Sequence, residues 1–442
     1  MSWLSVVLWL VGTLVFILGP IILIHELGHF LAAKLFGVRV EEFGAGLPPR
    51  LVRLWRERGF VQVGRTRLTI ARGSKVPFGL VTGSWVEATA VKNENEALTL
   101  LELRVLDPAT GGPAIEPQAH GTGEVLVRGE LTDYEPGTVY SLNLLPLGAF
   151  VKMTGEEDPT DPRSLASKPR GQRVAVLAAG AAMNLIAALI ILTVAYASGL
   201  PTKWHVRITS VMEGSAAEEA GLLPGDIVTA INAVPIITGT EQLRAFVIPA
   251  AGRELTIEVQ RGEATVVLTA VPRRGEDGNG LLGIVMDPWP SRGDLQYYSL
   301  PQAFTNATKH LGVVSVTLVR LPALLIRGQV APQDVRPSSI VGISSFLTFD
   351  LQRSIAWGLP FPALQTAALI SLALGLTNLL PVPALDGGRI VFVLIEAIRG
   401  RRIAPEREAA VHFIMLAVLV VLMVFLMVQD IINPIIPWSW LK

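Results

Sequence analysis

Long apolar runs and shorter alternating segments divide this chain of 442 residues. Four of the runs approach the ~20 apolar residues that a helix needs to cross a membrane. We therefore predict membrane-spanning helices within 1–37, 171–200, 361–390 and 411–432. The first run lacks the basic region and the cleavage site of a removable signal peptide, so we expect it to stay in the mature chain. The pattern predicts a mostly α-helical membrane protein with a four-span core.

Two regions between these runs alternate apolar and polar residues with the period of two that β-strands show. Residues 38–139 are predicted to form a β-rich insertion, because runs such as "FVQVGRTRLTI" are bounded there by Gly and Pro. Residues 201–290 combine alternating runs with a short helical segment. In this second region, "AGLLPGDIVTAINAVPI" resembles a PDZ domain of the bacterial protease-associated kind. Such domains bind extended peptide ends by strand addition.

The distribution of Lys and Arg predicts the orientation, because these residues accumulate on the cytoplasmic side of a membrane. They cluster after the first span, before the second and after the third: Lys34, Arg39, Arg50, Lys168, Arg170, Arg173, Arg389, Arg399, Arg401 and Arg402. The insertion 38–139 and the loop 391–410 are therefore expected in the cytoplasm. Outside it we expect both termini, the PDZ-like region and an amphipathic or interfacial segment, 291–360. Within that segment, Leu295 to Arg327 are expected to form an amphipathic helical pair near the membrane surface.

The composition agrees with a membrane protein and excludes several functions. Half of the residues are hydrophobic, only 17% are charged, and the mean hydropathy is positive. Basic and acidic residues are equal in number, so no overall positive field favours nucleic acid as a partner. Cysteine is absent, which excludes disulfides, thiolate metal sites and a cysteine nucleophile. Any metal must be held by His, Asp or Glu.

The sequence His-Glu-Leu-Gly-His at 25–29 places three ionisable side chains in the first predicted span. Such a group costs about 2.5–3.5 kcal/mol at the centre of a membrane helix on insertion scales. His25 and His29 are four residues apart and share one helical face, with Glu26 beside them. Two imidazoles can bind zinc, and the glutamate can act as a general base. The alternative is that the three side chains only pair with one another inside a helical bundle.

A catalytic zinc site takes three protein ligands and a water, so a third ligand is required. No His or carboxylate shortly after His29 fits. The candidate is Asp386 in "TNLLPVPALDGGRI", an acid at membrane depth in backbone interrupted by Pro and Gly. Irregular backbone at that depth is tolerated where it is buried in protein or lines a wet cavity. Alternatively, "PALDGG" is only a polar turn that closes the third span.

Together these residues resemble the site-2 proteases, which are zinc intramembrane metalloproteases, and within them the RseP-like group with a PDZ domain. The resemblance rests on "HELGHF", "FGAGLPPRL", "YSLNLLPLGAFVKMTGE", "RVAVLAAGAAMN", the PDZ-like region and "NLLPVPALDGGR". It implies that His25, His29 and Asp386 bind Zn²⁺ and that Glu26 activates the water. It also implies that Asn378 helps to bind substrate.

By the same resemblance, residues 140–170 contain a membrane-associated β-structure at the active site. The chain departs from the family pattern in several places. "PLGAF" replaces the usual PLGGY, "AGAAMN" lacks a proline after AG, and Arg389 stands where histidine is common. None of these changes removes a ligand or the base, so we expect activity. The largest departure is the insertion, whose function the sequence does not indicate.

The resemblance implies an enzyme of the bacterial cytoplasmic (inner) membrane that cleaves transmembrane protein substrates already shortened by another protease. The PDZ-like region would then read peptide termini. The alternative is a membrane adaptor whose PDZ domain captures partners while the metal site is structural or idle. Two further polar residues are ambiguous. Asn184 in the second span could contact the active site or only another helix, and His412 is interpreted as an interfacial residue.

Overall fold

The computed structural model describes residues 3–77, 80–93, 97–107, 115–120, 123–156, 160–291, 293–330 and 335–441. These residues divide into two compact units. Unit 1 contains Met1–Ala188, Leu321–Thr348 and Leu369–Lys442, and unit 2 contains Leu189–Arg320 and Phe349–Ala368.

The helices carry most of the apolar sequence. In chain order they are α1 (Trp3–Thr13), α2 (Gly19–Leu35), α3 (Arg170–Ala197), α4 (Ala216–Glu219), α5 (Thr240–Val247), α6 (Leu300–Ile326), α7 (Ile340–Trp357), α8 (Phe361–Asn378), α9 (Asp386–Arg399) and α10 (Pro405–Ile432). A π-helical turn, Leu14–Leu18, joins α1 to α2. The first apolar run is therefore one helical segment, Leu4–Leu35.

Five helical segments among the described residues are long and apolar enough to cross a membrane, one more than the four predicted. The additional segment is α6, a single helix of 27 residues where a helical pair was predicted. Its Pro322 lies only four residues before the helix ends, so the proline does not divide it. The predicted span 361–390 also differs, because α8 ends at Asn378 and α9 begins at Asp386. Pro381 and Pro383, which have no N–H to donate to a helix, lie in the turn between them.

The strands, in chain order, are β1 (Val40–Arg56), β2 (Gly59–Val63), β3 (Thr66–Lys75), β4 (Trp85–Lys92), β5 (Leu98–Val105), β6 (Ile115–His120), β7 (Glu124–Glu135), β8 (Val139–Met153), β9 (Leu200–Pro201), β10 (Trp204–Val211), β11 (Ile227–Ile231), β12 (Val234–Pro235), β13 (Leu255–Arg261), β14 (Ala264–Ala270), β15 (Arg273–Arg274), β16 (Gly280–Leu281), β17 (Ile284–Pro290) and β18 (Leu295–Gln296). They form two larger sheets and three pairs.

The strands β1 and β8 are both long and both fold back, so together they make a sheet of four antiparallel segments. Phe43 lies opposite Val151 on one side and opposite Tyr140 on the other, while Trp55 also lies opposite Tyr140. Residues 149–153 therefore form one edge of this sheet. Near the turns the side chains are apolar yet exposed: Leu47, Leu51, Leu144 and Leu145. The strand β1 lies within the range predicted as the insertion, 38–139, but it pairs with β8.

The insertion forms a small barrel from β2 to β7. The strand order is β2-β3-β5-β4-β7-β6, and a further pairing of β2 with β7 closes the barrel. All of these pairings are antiparallel except β3 with β5. Alternate side chains point inward, and the barrel core includes Val61, Leu68, Val86, Leu100 and Leu131. Arg163, in the loop before α3, forms ion pairs with Asp133 and Glu135 of β7 and so connects that loop to the barrel.

In unit 2, residues 204–290 form an antiparallel sheet with two short helices. The strand order is β14-β13-β11-β10-β17, with β12 paired to β11. The core includes Val206, Ile208, Ile231, Leu243 and Ile257. This alternation of strands with short helices agrees with the pattern read from the sequence of the PDZ-like region.

Candidate metal centre

Three side chains that can bind a metal meet inside unit 1. His25 and His29 lie on α2, and Asp386 is the first residue of α9. Asp386 Oδ2 lies 3.2 Å from Nε2 of His25 and 3.2 Å from Nε2 of His29, and the two Nε2 atoms are 3.3 Å apart. Both histidines are only 6% exposed. The chain thus brings together residues that are 361 positions apart in sequence.

The donor set fits a zinc ion. Ligand atoms about 2.0 Å from a tetrahedral zinc ion lie about 3.3 Å from one another. The three observed separations, 3.2, 3.2 and 3.3 Å, agree with that value. Two imidazoles and a carboxylate occupy three tetrahedral positions, and a catalytic site keeps the fourth for water. The three donor atoms are therefore spaced as ligands of a zinc ion are.

A glycine of α3 creates the space beside the imidazoles. A Cβ atom on Gly180 would lie 2.4 Å from Nε2 of His29 and 2.8 Å from Nε2 of His25. The helices also touch at Gly28 of α2, where a Cβ would lie 2.3 Å from the carbonyl oxygen of Ala179. The small residues of "AAGAAMN" thus let the backbone of α3 pack directly against the face that carries the histidines.

Both histidine rings are oriented through Nδ1, the nitrogen that does not face Asp386. Nδ1 of His29 lies 2.8 Å from the carbonyl oxygen of Val176, to which it donates. Nδ1 of His25 lies 3.2 Å from the side-chain amide of Asn184. The Asn184 oxygen is buried and has no hydrogen-bond partner in the described structure, so a rotated amide would accept from His25 there. A ring that donates from Nδ1 keeps the Nε2 lone pair for a metal.

Asp386 sits where a tight turn meets a helix. A Cβ on Gly387 would lie 2.2 Å from the carbonyl oxygen of Leu380, and one on Gly388 would lie 2.3 Å from that of Val382. The two glycines therefore let the turn fold closely over the start of α9. This packing directs the carboxylate at the histidines.

Ion pairs hold α9 near both of its ends. Arg389 pairs with Glu156 at 2.5 Å, and Glu396 pairs with Arg173 at 2.6 Å. Burial acts to raise the pKa of Glu396, but the hydrogen bond and charge of Arg173 outweigh it and lower the pKa below its usual value. A cavity of about 140 Å³ lies beside these pairs, and Glu156, Arg173 and Glu396 are among the residues that line it.

Glu26 lies beside the cluster and is held by the β1–β8 sheet. Its Oε2 accepts a hydrogen bond from the backbone N–H of Val151 at 3.1 Å. Val151 belongs to the edge segment 149–153, and this N–H points away from β1. Among the described residues, no strand pairs with this edge on the side away from β1, so backbone groups there can hydrogen-bond to an added strand. The carboxylate thus lies between the metal cluster and an open sheet edge.

The other candidate residues differ in whether they contact the metal-binding cluster. Asn378 is the last residue of α8, eight positions before Asp386, and none of the hydrogen bonds among the described residues joins it to the cluster. Asn184 contacts His25, which decides between the two alternatives left open by the sequence. His412 accepts a hydrogen bond from Ala384 in the turn before Asp386, so it is not only interfacial.

The sequence did not indicate a role for Gly180, Val176 or Val151. Val176 and Val151 act through backbone atoms, and Gly180 acts through the absence of a side chain.

Comparisons with known proteins point to one family. The family model described as "Peptidase family M50" matches residues 13–64 and 121–422. The residues between these two ranges, 65–120, lie within the predicted insertion 38–139. A Clostridium perfringens protein named provisionally as a zinc metalloprotease is 30% identical over 425 residues, covering 95% of this chain and 97% of its own length. The regulator of sigma-W protease RasP of Bacillus subtilis is 29% identical over 436 residues, covering 94% and 97%.

Two further proteins are also similar to this chain. The zinc metalloprotease RasP of Shouchella clausii is 28% identical over 445 residues, covering 94% of this chain and 97% of its own. The PDZ domain of an SdrC-like protein from Listeria monocytogenes, a solved structure, is 18% identical with a TM-score of 0.17 and covers 18% of this chain and 85% of that one. A TM-score of this size carries no conclusion about the fold.

Proposed function

The chain belongs to peptidase family M50, the zinc site-2 proteases, and from that premise we propose that it hydrolyses peptide bonds within or beside the transmembrane segments of other membrane proteins. It is a zinc metalloprotease with apolar helices that fit a membrane. The observation that carries the proposal is the meeting of His25, His29 and Asp386. The helical segment Leu4–Leu35, which bears His25, Glu26 and His29, has the length and apolarity of a membrane span.

In this proposal His25, His29 and Asp386 are the zinc ligands. When bound, zinc lowers the pKa of a coordinated water to about 7 and polarises the scissile carbonyl. Glu26 takes a proton from the attacking water and delivers it to the leaving amine. The N–H of Val151 holds the Glu26 carboxylate in position for both transfers. Asn184 and the carbonyl of Val176 keep the two imidazoles turned toward the metal.

The substrate must present an unwound peptide bond. A transmembrane helix satisfies its carbonyls within itself, so the segment near the cut has to lose helical hydrogen bonds and find others. The edge segment 149–153 supports strand addition, because it lies next to Glu26 and has backbone groups that face away from β1. Asn378 is proposed to contact the substrate from the end of α8. Helix-breaking residues in the substrate are then expected to favour cleavage.

The remaining parts are proposed to select the substrate. The domain at residues 204–290 acts as a PDZ module that reads peptide termini, or excludes bulky outer domains, after another protease has shortened the substrate. The relatives in Bacillus and Shouchella and the apolar helices support a bacterial inner-membrane location. The clusters of Lys and Arg support an orientation with the active site toward the cytoplasm and with both termini and the PDZ module outside.

The test is cleavage of a reporter membrane segment by purified protein, with zinc measured in the same samples. Glu26→Gln should retain zinc but lose cleavage by about 10²–10⁴-fold, the contribution typical of a general base. Glu41→Gln is the matched control, because Glu41 is a partly exposed glutamate paired with Lys152. Cleavage that survives in Glu26→Gln would remove the mechanism. A wild type that binds zinc and captures peptides without cutting them would favour the adaptor.

A further inference from the structure

We propose that His412 of α10 is a positioning residue for the metal centre, which it serves by holding the turn that carries Asp386. The proposal rests on the zinc site described above, since its subject is how one ligand is kept in place. Among the described residues, no hydrogen bond or ion pair joins His412 to the three metal-binding side chains. It acts through the backbone of Ala384, two residues before Asp386.

The contact accounts for a backbone group that the turn leaves unpaired. The N–H of Val382 donates to the carbonyl of Leu380, and that of Leu385 donates to the carbonyl of Val382. Pro383 has no N–H. The remaining N–H in the turn belongs to Ala384, and it donates to Nδ1 of His412 at 2.8 Å. This partly buried N–H would otherwise lack a partner in the turn, and a polar group shielded from water without a hydrogen bond is costly.

Ala384 also has an unfavourable backbone conformation. Its φ is +77°, in the region where a residue with a Cβ pays a steric penalty and glycine does not. A residue held there requires support from its surroundings. The hydrogen bond from Ala384 to His412 provides that support immediately before the helix on which Asp386 lies.

The His412 ring is itself fixed for this role. Its side chain is only 13% exposed, and the ring lies against Phe392 of α9 with the two centroids 5.3 Å apart. Because Nδ1 accepts the bond from Ala384, a neutral ring carries its proton on Nε2. That atom lies 3.9 Å from Oε1 of Glu408, one turn earlier on α10. The ring therefore connects α10 to both the turn and the helix that bear the ligand.

The experiment compares zinc affinity, by chelator competition on the full-length protein in detergent, among variants at two positions. His412→Leu should weaken zinc binding by about 10–100-fold, as expected when a residue that supports a ligand is lost. His412→Asn should bind close to wild type, because Oδ1 of asparagine can accept where Nδ1 does. Adding Ala384→Gly to His412→Leu should recover about tenfold, since glycine adopts the positive φ without the Cβ penalty.

His310→Leu is the matched control, because His310 is also a partly buried helical histidine bonded through Nδ1, in its case to the hydroxyl of Tyr196. Its zinc affinity should equal that of the wild type. Wild-type affinity in His412→Leu, or a loss that His412→Asn shares fully, would overturn the proposal. So would the absence of any recovery in the double variant. If the leucine variant does not accumulate, His412→Ser, which is too short to reach Ala384, replaces it in the same comparison.

These outcomes are separable from the proposed function. Wild-type zinc binding and reporter cleavage test the function, whereas the ratio of each variant to wild type tests His412. A wild type that binds no zinc would remove both proposals. A wild type that binds zinc, with His412→Leu indistinguishable from it, would remove only the role of His412.

Discussion

The side-chain amide of Asn184 lies 3.2 Å from Nδ1 of His25, although the two residues are 159 positions apart. Asn184 is completely buried on α3, and its backbone carbonyl accepts a hydrogen bond from Ser371 of α8. The asparagine therefore links three helices at one side of the metal cluster. Its contact with His25 determines which ring nitrogen faces Asp386.

The first prediction concerns this contact. Asn184→Leu should lower zinc affinity by about 10–100-fold, because His25 loses the partner that orients its ring. Cleavage should fall with it and recover in part when zinc is added in excess. Thr193→Val on the same helix is the control, since among the described residues the Thr193 hydroxyl bonds only to the carbonyl of Leu189 one turn earlier. Equal zinc affinity in Asn184→Leu and wild type would contradict the proposed orientation of His25.

The second prediction concerns the space that Gly180 leaves for the imidazoles. In Gly180→Ala the new Cβ would lie 2.4 Å from Nε2 of His29, so the ring or the helix has to move. We expect loss of bound zinc and of cleavage, together with about 1–3 kcal/mol of destabilisation from overpacking. Zinc content and thermal unfolding of the purified variant measure the two effects.

Gly171→Ala supplies the comparison for Gly180→Ala. Gly171 lies on the same helix, and a Cβ placed there meets no atom within 4 Å. The substitution should leave zinc content unchanged. If Gly180→Ala also retained its zinc, the close approach of α3 would not determine the shape of the metal site.

Much of this candidate site could be predicted from the sequence, because the side chains that meet there follow local rules. The spacing of His25 and His29 places them on one helical face, and the pairing of an acid with Pro and Gly at membrane depth indicates a turn with a function. The structure brings these predicted residues to within 3.3 Å of one another. Metal-binding residue types at a regular spacing can be recognised in a sequence before it is known which helices pack together.

The supporting contacts were not predictable in the same way. Val176 and Val151 contribute backbone atoms, which every residue has, so their positions carry no sequence pattern. His412 could be assigned only once α10 was known to pass beside the turn at Ala384. Similarly, β1 was assigned to the insertion because its alternation indicates a strand but not the partner of that strand. Long-range packing decides each of these cases.

The third prediction concerns the stability of residues 204–290 at low pH. Asp226 is 1% exposed and accepts hydrogen bonds from the guanidinium of Arg261 and the N–H of Leu223. Burial acts to raise its pKa, but these bonds outweigh it, so the pKa lies below that of an unfolded aspartate, about 3.9. The stabilisation is therefore present above about pH 4 and is lost as the pH falls through the lower, folded-state pKa.

Asp226→Asn should remove this pH dependence and destabilise the domain by about 1–3 kcal/mol, because Arg261 loses its charged partner. Hydrogen exchange of residues 204–290 in the full-length protein, measured from pH 7 to pH 3, reports both effects. Glu241→Gln is the control, since Glu241 pairs with Arg244 on an exposed helix surface. An acid profile that is the same in Asp226→Asn and wild type would show that another group governs it.

The fourth prediction concerns the bond between Val151 and Glu26. Val151→Pro removes the N–H that donates to the Glu26 carboxylate, and proline is tolerated where an edge strand faces away from its neighbour. We expect kcat to fall by about tenfold, the cost of roughly one hydrogen bond to a charged group, while zinc content stays at the wild-type level. Val151→Ala keeps the N–H and should cleave like the wild type. If Val151→Pro changed only KM, the edge segment would bind substrate without orienting the base, and the two roles assigned to this strand would have to be separated.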